Sequence, residues 1–343
     1  MVNLKFTVLG GSSAETEDEK GAAHMLSVAA FAGTANKSGL RLMRELEDIG
    51  ATVSASADRE KISLDVTVIA TMAEMAFERV AEAVVSPPKN KFVLYDALGA
   101  AQLAYDSQAS SPKKMLVELL HEAAYGELSP MGSTFLAEHG DIANLDPEAV
   151  LKYREHQFTA GNVVVSSSGL SHNTAKILST KYLSALPAGA TAPQASPYVG
   201  GDAKLKVNCK GHTYSALAFP ITNTKASNVL RLMLNSKVKK LNMDGELTAF
   251  SAPYSNNGVW GFYASSANGG LGSNTLLEGA ILELKRMSTT VDEALLTSVK
   301  TQVSYIYIYV WSSCRVYIYI SSLVVYVYVF VEILVYILHI YIG

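Results

Sequence analysis

Val53-Ser54-Ala55-Ser56-Ala57-Asp58-Arg59-Glu60-Lys61-Ile62-Ser63-Leu64-Asp65-Val66-Thr67-Val68 holds two runs of alternation around a charged turn. In the first, Val53, Ala55 and Ala57 alternate with Ser54 and Ser56. After a turn near Asp58, Ile62, Leu64, Val66 and Val68 alternate with Lys61, Ser63, Asp65 and Thr67. Successive side chains of a strand point to opposite faces, so each run offers one apolar and one polar face. The stretch predicts a β-hairpin lying on a core.

Helical spacing flanks the hairpin. Residues 38–49 place Leu42, Glu45, Leu46 and Ile49 a turn apart, and Gly50 stops the helix. Downstream, Thr71 and Glu74 have capping-box spacing. They predict a helix to about Val85 with Met72, Met75, Ala76, Val80 and Ala83 inward, ended by Pro87-Pro88. Further helices are expected over 90–106, 112–124 and 146–157, the last capped by Asp146 with Pro147 in its first turn. Strands are expected over 3–9 and 162–167, and a helix over 172–184.

Residues 186–202 contain Pro187, Pro193, Pro197, Gly189, Gly200 and Gly201, which reads as a linker. Beyond it come expected strands at 203–209 and 213–219 and a helix at 225–240. A strand pair at 247–254 and 258–265 follows, then helices at 273–287 and 291–303. The order helix, strand, strand, helix, helix over 38–106 thus recurs over 225–303. Similarity at that offset implies a duplicated domain rather than a solenoid. The fold expected is α+β, with one half-domain over 1–185, a linker over 186–202 and a second, truncated half over 203–303.

The remainder, 304–343, is of another kind. It holds nine of the eighteen tyrosines, and Arg315 and Glu332 are its only residues of the Asp, Glu, Lys and Arg types. Tyr305-Ile306-Tyr307-Ile308-Tyr309 and Val325-Tyr326-Val327-Tyr328-Val329 alternate two apolar types, so neither face of such a strand would be wet. Arg315 and Glu332 bracket fewer residues than the roughly 20 that a spanning helix needs. A membrane anchor, a buried strand pair and translated non-coding sequence all compete. Runs of TA and TG dinucleotides encode this alternation, and a retained intron or misjoined exon is the favoured reading. Exposed, such a segment would be prone to aggregate.

Composition narrows the classes. The chain has 343 residues, 28 Lys plus Arg and 31 Asp plus Glu, a formal charge of −3. That excludes a polybasic nucleic-acid binder and an acidic disordered chain. Two cysteines, Cys209 and Cys314, build neither a disulfide framework nor a multi-cysteine zinc site. The start shows no Arg-rich leader and no signal-peptide core, so a targeting segment is absent from these residues.

Three apparent motifs fail on spacing. Gly33-Thr34-Ala35-Asn36-Lys37-Ser38-Gly39 lacks the glycine before the lysine that a phosphate loop requires, and reads as a polar turn. Gly269-Gly270-Leu271-Gly272 reads as a loop between a strand and a helix. His121-Glu122 has tyrosine at position 125 where a zinc-protease helix needs histidine.

Gly21-Ala22-Ala23-His24-Met25-Leu26-Ser27-Val28 resembles the metal helix of the pitrilysin/insulinase-type metallopeptidase superfamily. That superfamily includes the mitochondrial processing peptidase subunits and the core proteins of ubiquinol–cytochrome c reductase. Its active pattern is H-x-x-E-H with a further glutamate 75 to 80 residues on. The two histidines and the distal glutamate bind zinc, and the internal glutamate is the general base. Carried over, the first histidine is His24, the base position is Ser27, the second ligand position is Val28 and the distal glutamate falls near Gln102. No glutamate stands between Glu82 and Glu118. A catalytic zinc needs three protein ligands and an open position. The resemblance therefore implies the non-catalytic branch, with no catalytic, metal or cofactor site, and His24, Ser27, Val28 and Gln102 as vestiges.

The resemblance extends over nearly the whole body. Leu46-Glu47-Asp48-Ile49-Gly50 with Ser56-Ala57-Asp58-Arg59-Glu60 is similar to the family's helix and Arg-Glu hairpin. The stretches 120–125, 198–201 and 252–261 are most similar to the core-protein 2 branch. The resemblance implies a structural core subunit of complex III, on the matrix side of the mitochondrial inner membrane. Its implied partners are a paired core 1 or processing peptidase β-like subunit, cytochrome b, cytochrome c1 and the iron–sulfur subunit. It implies no nucleic acid, and membrane contact only through the complex. A processing peptidase α-like, presequence-binding subunit is the alternative. Against it, Leu241-Asn242-Met243-Asp244-Gly245-Glu246 holds one glycine where the α subunit's glycine-rich loop would lie. A truncated product that never assembles is the third possibility.

Overall fold

The computed structural model describes residues 1–88, 91–127, 129–134, 145–191, 196–206, 211–221, 224–238, 245–255, 258–267, 269–313 and 317–320. The hairpin is present. Strands β2 (Thr52–Ala57) and β3 (Lys61–Val68) pair antiparallel with Ala57 opposite Ile62. β1 (Val2–Leu9) lies beside β3, and β4 (Val163–Ser168) lies beside β1, again antiparallel. Val2, Leu4, Phe6 and Val8 are buried together with Ile62, Leu64, Val66 and Val68. On the opposite, wet face Lys5 reaches Asp65 at 3.1 Å.

Helices close the apolar face. They are α1 (Ala22–Val28), α2 (Gly39–Asp48), α3 (Ala73–Val85), α4 (Lys91–Ala109), α5 (Pro112–Tyr125), α6 (Pro147–Gln157) and α7 (His172–Tyr182). All but α5 contribute to one core around this sheet. The Ser38 hydroxyl accepts from the Arg41 amide and Asp146 from that of Glu148, as the N-cap residue types require. The expected cap of α3 is not made. Thr71 lies in a 3-10 turn, Ala70–Met72, and Met72 is the N-cap without a side-chain bond. Glu74 instead accepts from Lys181 Nζ at 3.0 Å and from the Tyr182 hydroxyl at 3.3 Å. The buried face of α3 is also rotated from the expected one. Phe77 packs on Phe6 with ring centroids 4.9 Å apart, and Met75 is turned outward. Burying such a ring is worth roughly 1.5–3 kcal/mol, enough to set the helix's rotation.

The second half repeats the first. β5 (Thr213–Pro220), α8 (Thr224–Val238), β6 (Glu246–Ala252), β7 (Val259–Ser266), α9 (Gly269–Thr289) and α10 (Glu293–Ser313) follow in the order of β1, α2, β2, β3, α3 and α4. The sheet order β5-β7-β6 matches β1-β3-β2. The fold is thus α+β, built from two homologous halves. Three expectations need correction. Residues 203–206 form no strand, since Lys204 and Lys206 flank an exposed Leu205 and among the described residues no strand pairs with them; 207–209 lie outside the described residues. The run Gly269–Gly272 begins α9 rather than preceding it. Helix α10 runs past residue 303 to Ser313, because propagating a formed helix costs little. A short strand, β8 (Tyr317–Ile320), pairs with β4. Cys209, Cys314 and 321–343 lie outside the described residues.

The two sheets also differ in what covers their second faces. Phe219, Trp260 and Phe262 on one face of the second sheet pack with Leu277 and Ala280 of α9. Ala216, Ala218, Phe250 and Ala252 on the other face are apolar as well, and they pack with Leu120, Ala124 and Tyr125 of α5. A first-half helix therefore covers the second-half sheet. Among the described residues no helix is long and apolar enough to cross a membrane.

Candidate functional site

Helix α1 carries the positions singled out by spacing. Gly21, at φ +88°, starts it, and the Glu15 carboxylate accepts from the Gly21 and Ala23 amides at 2.8 and 2.7 Å. This carboxylate takes the helix's free N–H groups and complements the positive end of its dipole. His24 is 3 % exposed, and burial lowers its pKa to about 4, so the ring is neutral at physiological pH. The Ser27 hydroxyl donates to the His24 carbonyl oxygen at 2.7 Å, a bond within its own helix. Val28 is half-buried against the core. Gln102 lies on α4, which packs against α1, but it is exposed; its neighbour Ala101 is the buried residue. His24, Ser27 and Val28 thus share one short helix, and Gln102 stands on the helix beside it. A neutral imidazole and a hydroxyl committed to the backbone can exchange hydrogen bonds with a ligand. They do not form an acid–base pair with each other. Among the described residues no group of three or more His, Cys, Asp or Glu is placed to hold a metal ion.

A denser polar cluster sits where the two halves meet. Arg59, in the turn between β2 and β3, is buried; its Nη2 donates to Glu118 Oε2 at 2.7 Å and its Nε to the Met131 carbonyl at 3.1 Å. Glu60 beside it accepts from the Ser255 amide at 2.9 Å, across the junction. His121 of α5 bonds the Val117 carbonyl through Nδ1 and the Tyr254 hydroxyl through Nε2, each at 2.7 Å. Burial, aided by the nearby Arg59 charge, lowers the His121 pKa to about 3. Burial pushes the Tyr254 phenol well above its usual value. Residues 199 and 200 are tied to the same place, since the Val199 and Gly200 amides both donate to the Ala124 carbonyl at 2.9 Å. Spacing alone dismissed His121 and gave Arg59 no role beyond the hairpin. The available signal was an Arg-Glu pair inside a tight turn, where a buried arginine implies an acidic partner elsewhere in the chain. Asn256 and Asn257, which follow Ser255 in the sequence, and Leu241–Asp244 lie outside the described residues.

Residues 1–136 match the family described as insulinase, peptidase family M16. Among curated proteins, the chain is 31% identical over 212 residues to the mitochondrial-processing peptidase subunit alpha of Solanum tuberosum, covering 62% of this chain and 42% of that one. It is 24% identical over 327 residues to the mitochondrial-processing peptidase subunit beta of Lentinula edodes, covering 85% and 69%. It is 21% identical over 282 residues to the cytochrome b-c1 complex subunit 2 of Rattus norvegicus, covering 76% and 62%. The chain spans 42% to 56% of the length of the three α-subunit relatives it matches in plants. Among solved structures, a protease from Helicobacter pylori superposes with a TM-score of 0.78 at 16% identity, over 90% of this chain and 79% of that chain, which establishes the fold.

Proposed function

From the match of residues 1–136 to the insulinase family of peptidases, M16, we propose that the chain is a non-catalytic subunit of a mitochondrial assembly. We place it as a structural core subunit of ubiquinol–cytochrome c reductase, paired with a second, peptidase-like core subunit. The donor set on α1 carries this reading. The family's zinc would need three protein ligands. The matching positions supply one buried imidazole, a hydroxyl bonded to its own helix, an alkyl side chain and an exposed amide. These residues do not fit a zinc ion, and no carboxylate stands at the general-base position. The four positions are therefore vestigial. The redox subunits cytochrome b, cytochrome c1 and the iron–sulfur protein would be neighbours in the assembly, with the inner membrane contacted through them.

A second reading is favoured by one observation, the 31% identity to a processing peptidase α subunit over 212 residues. Here the chain would present precursor peptides to a catalytic β-like partner. The discriminating experiment is affinity isolation of the chain from mitochondria, followed by subunit identification, zinc analysis and a presequence cleavage assay. Co-isolation with the redox subunits, without zinc in this chain and without cleavage, is the expected result. A free peptidase partner with cleavage would establish the second reading. Stoichiometric zinc in this chain would overturn both.

A further inference from the structure

A small cavity lies inside the first half, between α1, β3, α3, α4 and α6, with a volume of about 30 Å³. Leu26, Leu64, Leu94, Leu151 and Phe158 form most of its wall, and alanines, prolines and Gly33 complete it. Among the described residues that line it, Arg154 is the one with a polar side chain.

Arg154 stands on α6 and is 8% exposed. Its Nη2 donates to the Ala83 and Val84 carbonyls at 2.9 and 2.8 Å, which satisfies the last turn of α3. Its Cζ lies 4.7 Å from the centroid of the Phe158 ring. A guanidinium has five N–H groups, and these bonds use the two on Nη2. The one on Nε and the two on Nη1 have no acceptor among the described residues, and no carboxylate there pairs with the charge. The chain that continues from Pro88 at the wall is Lys89-Asn90-Lys91, which adds no acid. Burial lowers the Arg154 pKa to about 10, so the group stays charged at neutral pH. A buried charge is costly unless it is paired. Arg59, also buried, has Glu118 at 2.7 Å for that purpose.

Size and lining select an occupant. A water needs about 10–15 Å³ of such space, but also two to four polar partners, and its own O–H groups need acceptors. The side chains of this wall offer donors only. An anion needs donors only. A divalent anion would bring one more negative charge than the guanidinium neutralises, in apolar surroundings. We infer that this cavity is a binding site for one small monovalent anion, of the size of chloride or bromide, held by the Arg154 guanidinium. The arginine then caps α3 through Nη2 and holds the anion through its other N–H groups, and the pair is neutral within the core. The site uses none of His24, Ser27, Val28 and Gln102, so it does not depend on whether α1 is catalytically inert.

The test is thermal unfolding of the full-length chain at fixed ionic strength, with sodium chloride replacing sodium gluconate. Tm should rise saturably, by about 2–4 °C at a tenfold excess over the dissociation constant. Bromide should act as chloride does, and sulfate should not. Crystals grown in bromide should show an anomalous peak within hydrogen-bond distance of the Arg154 guanidinium. Arg154→Met should remove the chloride response. Because that change also uncaps α3, a second variant is needed. Ala30→Leu fills the cavity while keeping Arg154 and both of its carbonyl bonds, and it should remove the response as well. A Tm independent of chloride would overturn the inference and assign the guanidinium to water or to a carboxylate of this chain. So would an equal response to sulfate, a response that survives either variant, or a bromide peak found only elsewhere.

Discussion

Tyr254 donates its phenolic hydrogen to Nε2 of His121 across 2.7 Å, joining the second half of the chain to a helix of the first. The direction follows from the other ring nitrogen. Nδ1 faces the Val117 carbonyl at 2.7 Å, and a carbonyl only accepts, so Nδ1 carries the proton. The low pKa of His121 keeps the ring neutral and leaves Nε2 free to accept.

Tyr254→Phe removes that donor and leaves Nε2 buried without a partner. An unsatisfied buried acceptor costs about 1–3 kcal/mol. Urea denaturation of the purified chain should show a loss of that size with an unchanged m-value. Combining Tyr254→Phe with His121→Leu removes both polar groups, and should cost less than the sum of the two single changes. Strict additivity would mean that the bond contributes nothing to the junction.

The two buried histidines set an acid limit on stability. His24 and His121 titrate in the folded chain near 4 and 3, below the ordinary value near 6.5. The unfolded chain therefore binds protons first. Stability is fully present above about pH 6.5 and is lost as pH falls through the window down to about 3, by up to about 1.4 kcal/mol per unit for each histidine. The bond from Lys37 holds the Glu45 carboxylate below its usual range, so its own loss belongs to more acid solutions. Comparing urea midpoints near pH 7 and pH 5 isolates the histidines. His24→Gln and His121→Gln should each flatten this dependence, whatever they do to stability at neutral pH.

The contrast between hairpin and junction shows what alternation conveys. Ile62, Leu64, Val66 and Val68 are read directly as one buried face, because a strand's period of two is local. The repeat of the two halves is legible for the same reason, since each element carries its own period. The packing of α5 on the second sheet is not. Leu120, Ala124 and Tyr125 have helical spacing whichever sheet they meet, and only the tertiary contact decides between them. The capping expectation at Thr71 failed because Glu74 found Lys181, more than a hundred residues away. At α1 the residue types are legible, but the commitment of the Ser27 hydroxyl to the His24 carbonyl is not, because it depends on the side chain's rotamer.

Arg59 and Glu118 form an ion pair at 2.7 Å with both side chains almost wholly buried. Removing one partner strands the other charge in a poor dielectric. Glu118→Gln or Arg59→Met should each cost about 3–5 kcal/mol. Replacing both by apolar residues of similar volume should restore much of the loss, since neither charge then has to be desolvated. A double-mutant cycle measured by thermal unfolding checks this, and single losses below about 1 kcal/mol would identify the pair as solvated.

The last prediction concerns α1. Ser27→Glu with Val28→His rebuilds the pattern H-x-x-E-H from His24, but supplies only two of three zinc ligands. A third must come from the neighbouring helix, where the family resemblance puts the distal glutamate near Gln102. The double variant should bind zinc weakly and show no chelator-sensitive cleavage of a presequence peptide. Adding Gln102→Glu should raise zinc occupancy sharply, because the third ligand completes a tetrahedral site with one open position. Gln102 is exposed, so the added carboxylate must turn inward beside Ala101 to reach the metal. Occupancy read by metal analysis after gel filtration separates the two variants. Equal occupancy in both would show that Gln102 lies off the vestigial site, and that another residue of α4 faces His24.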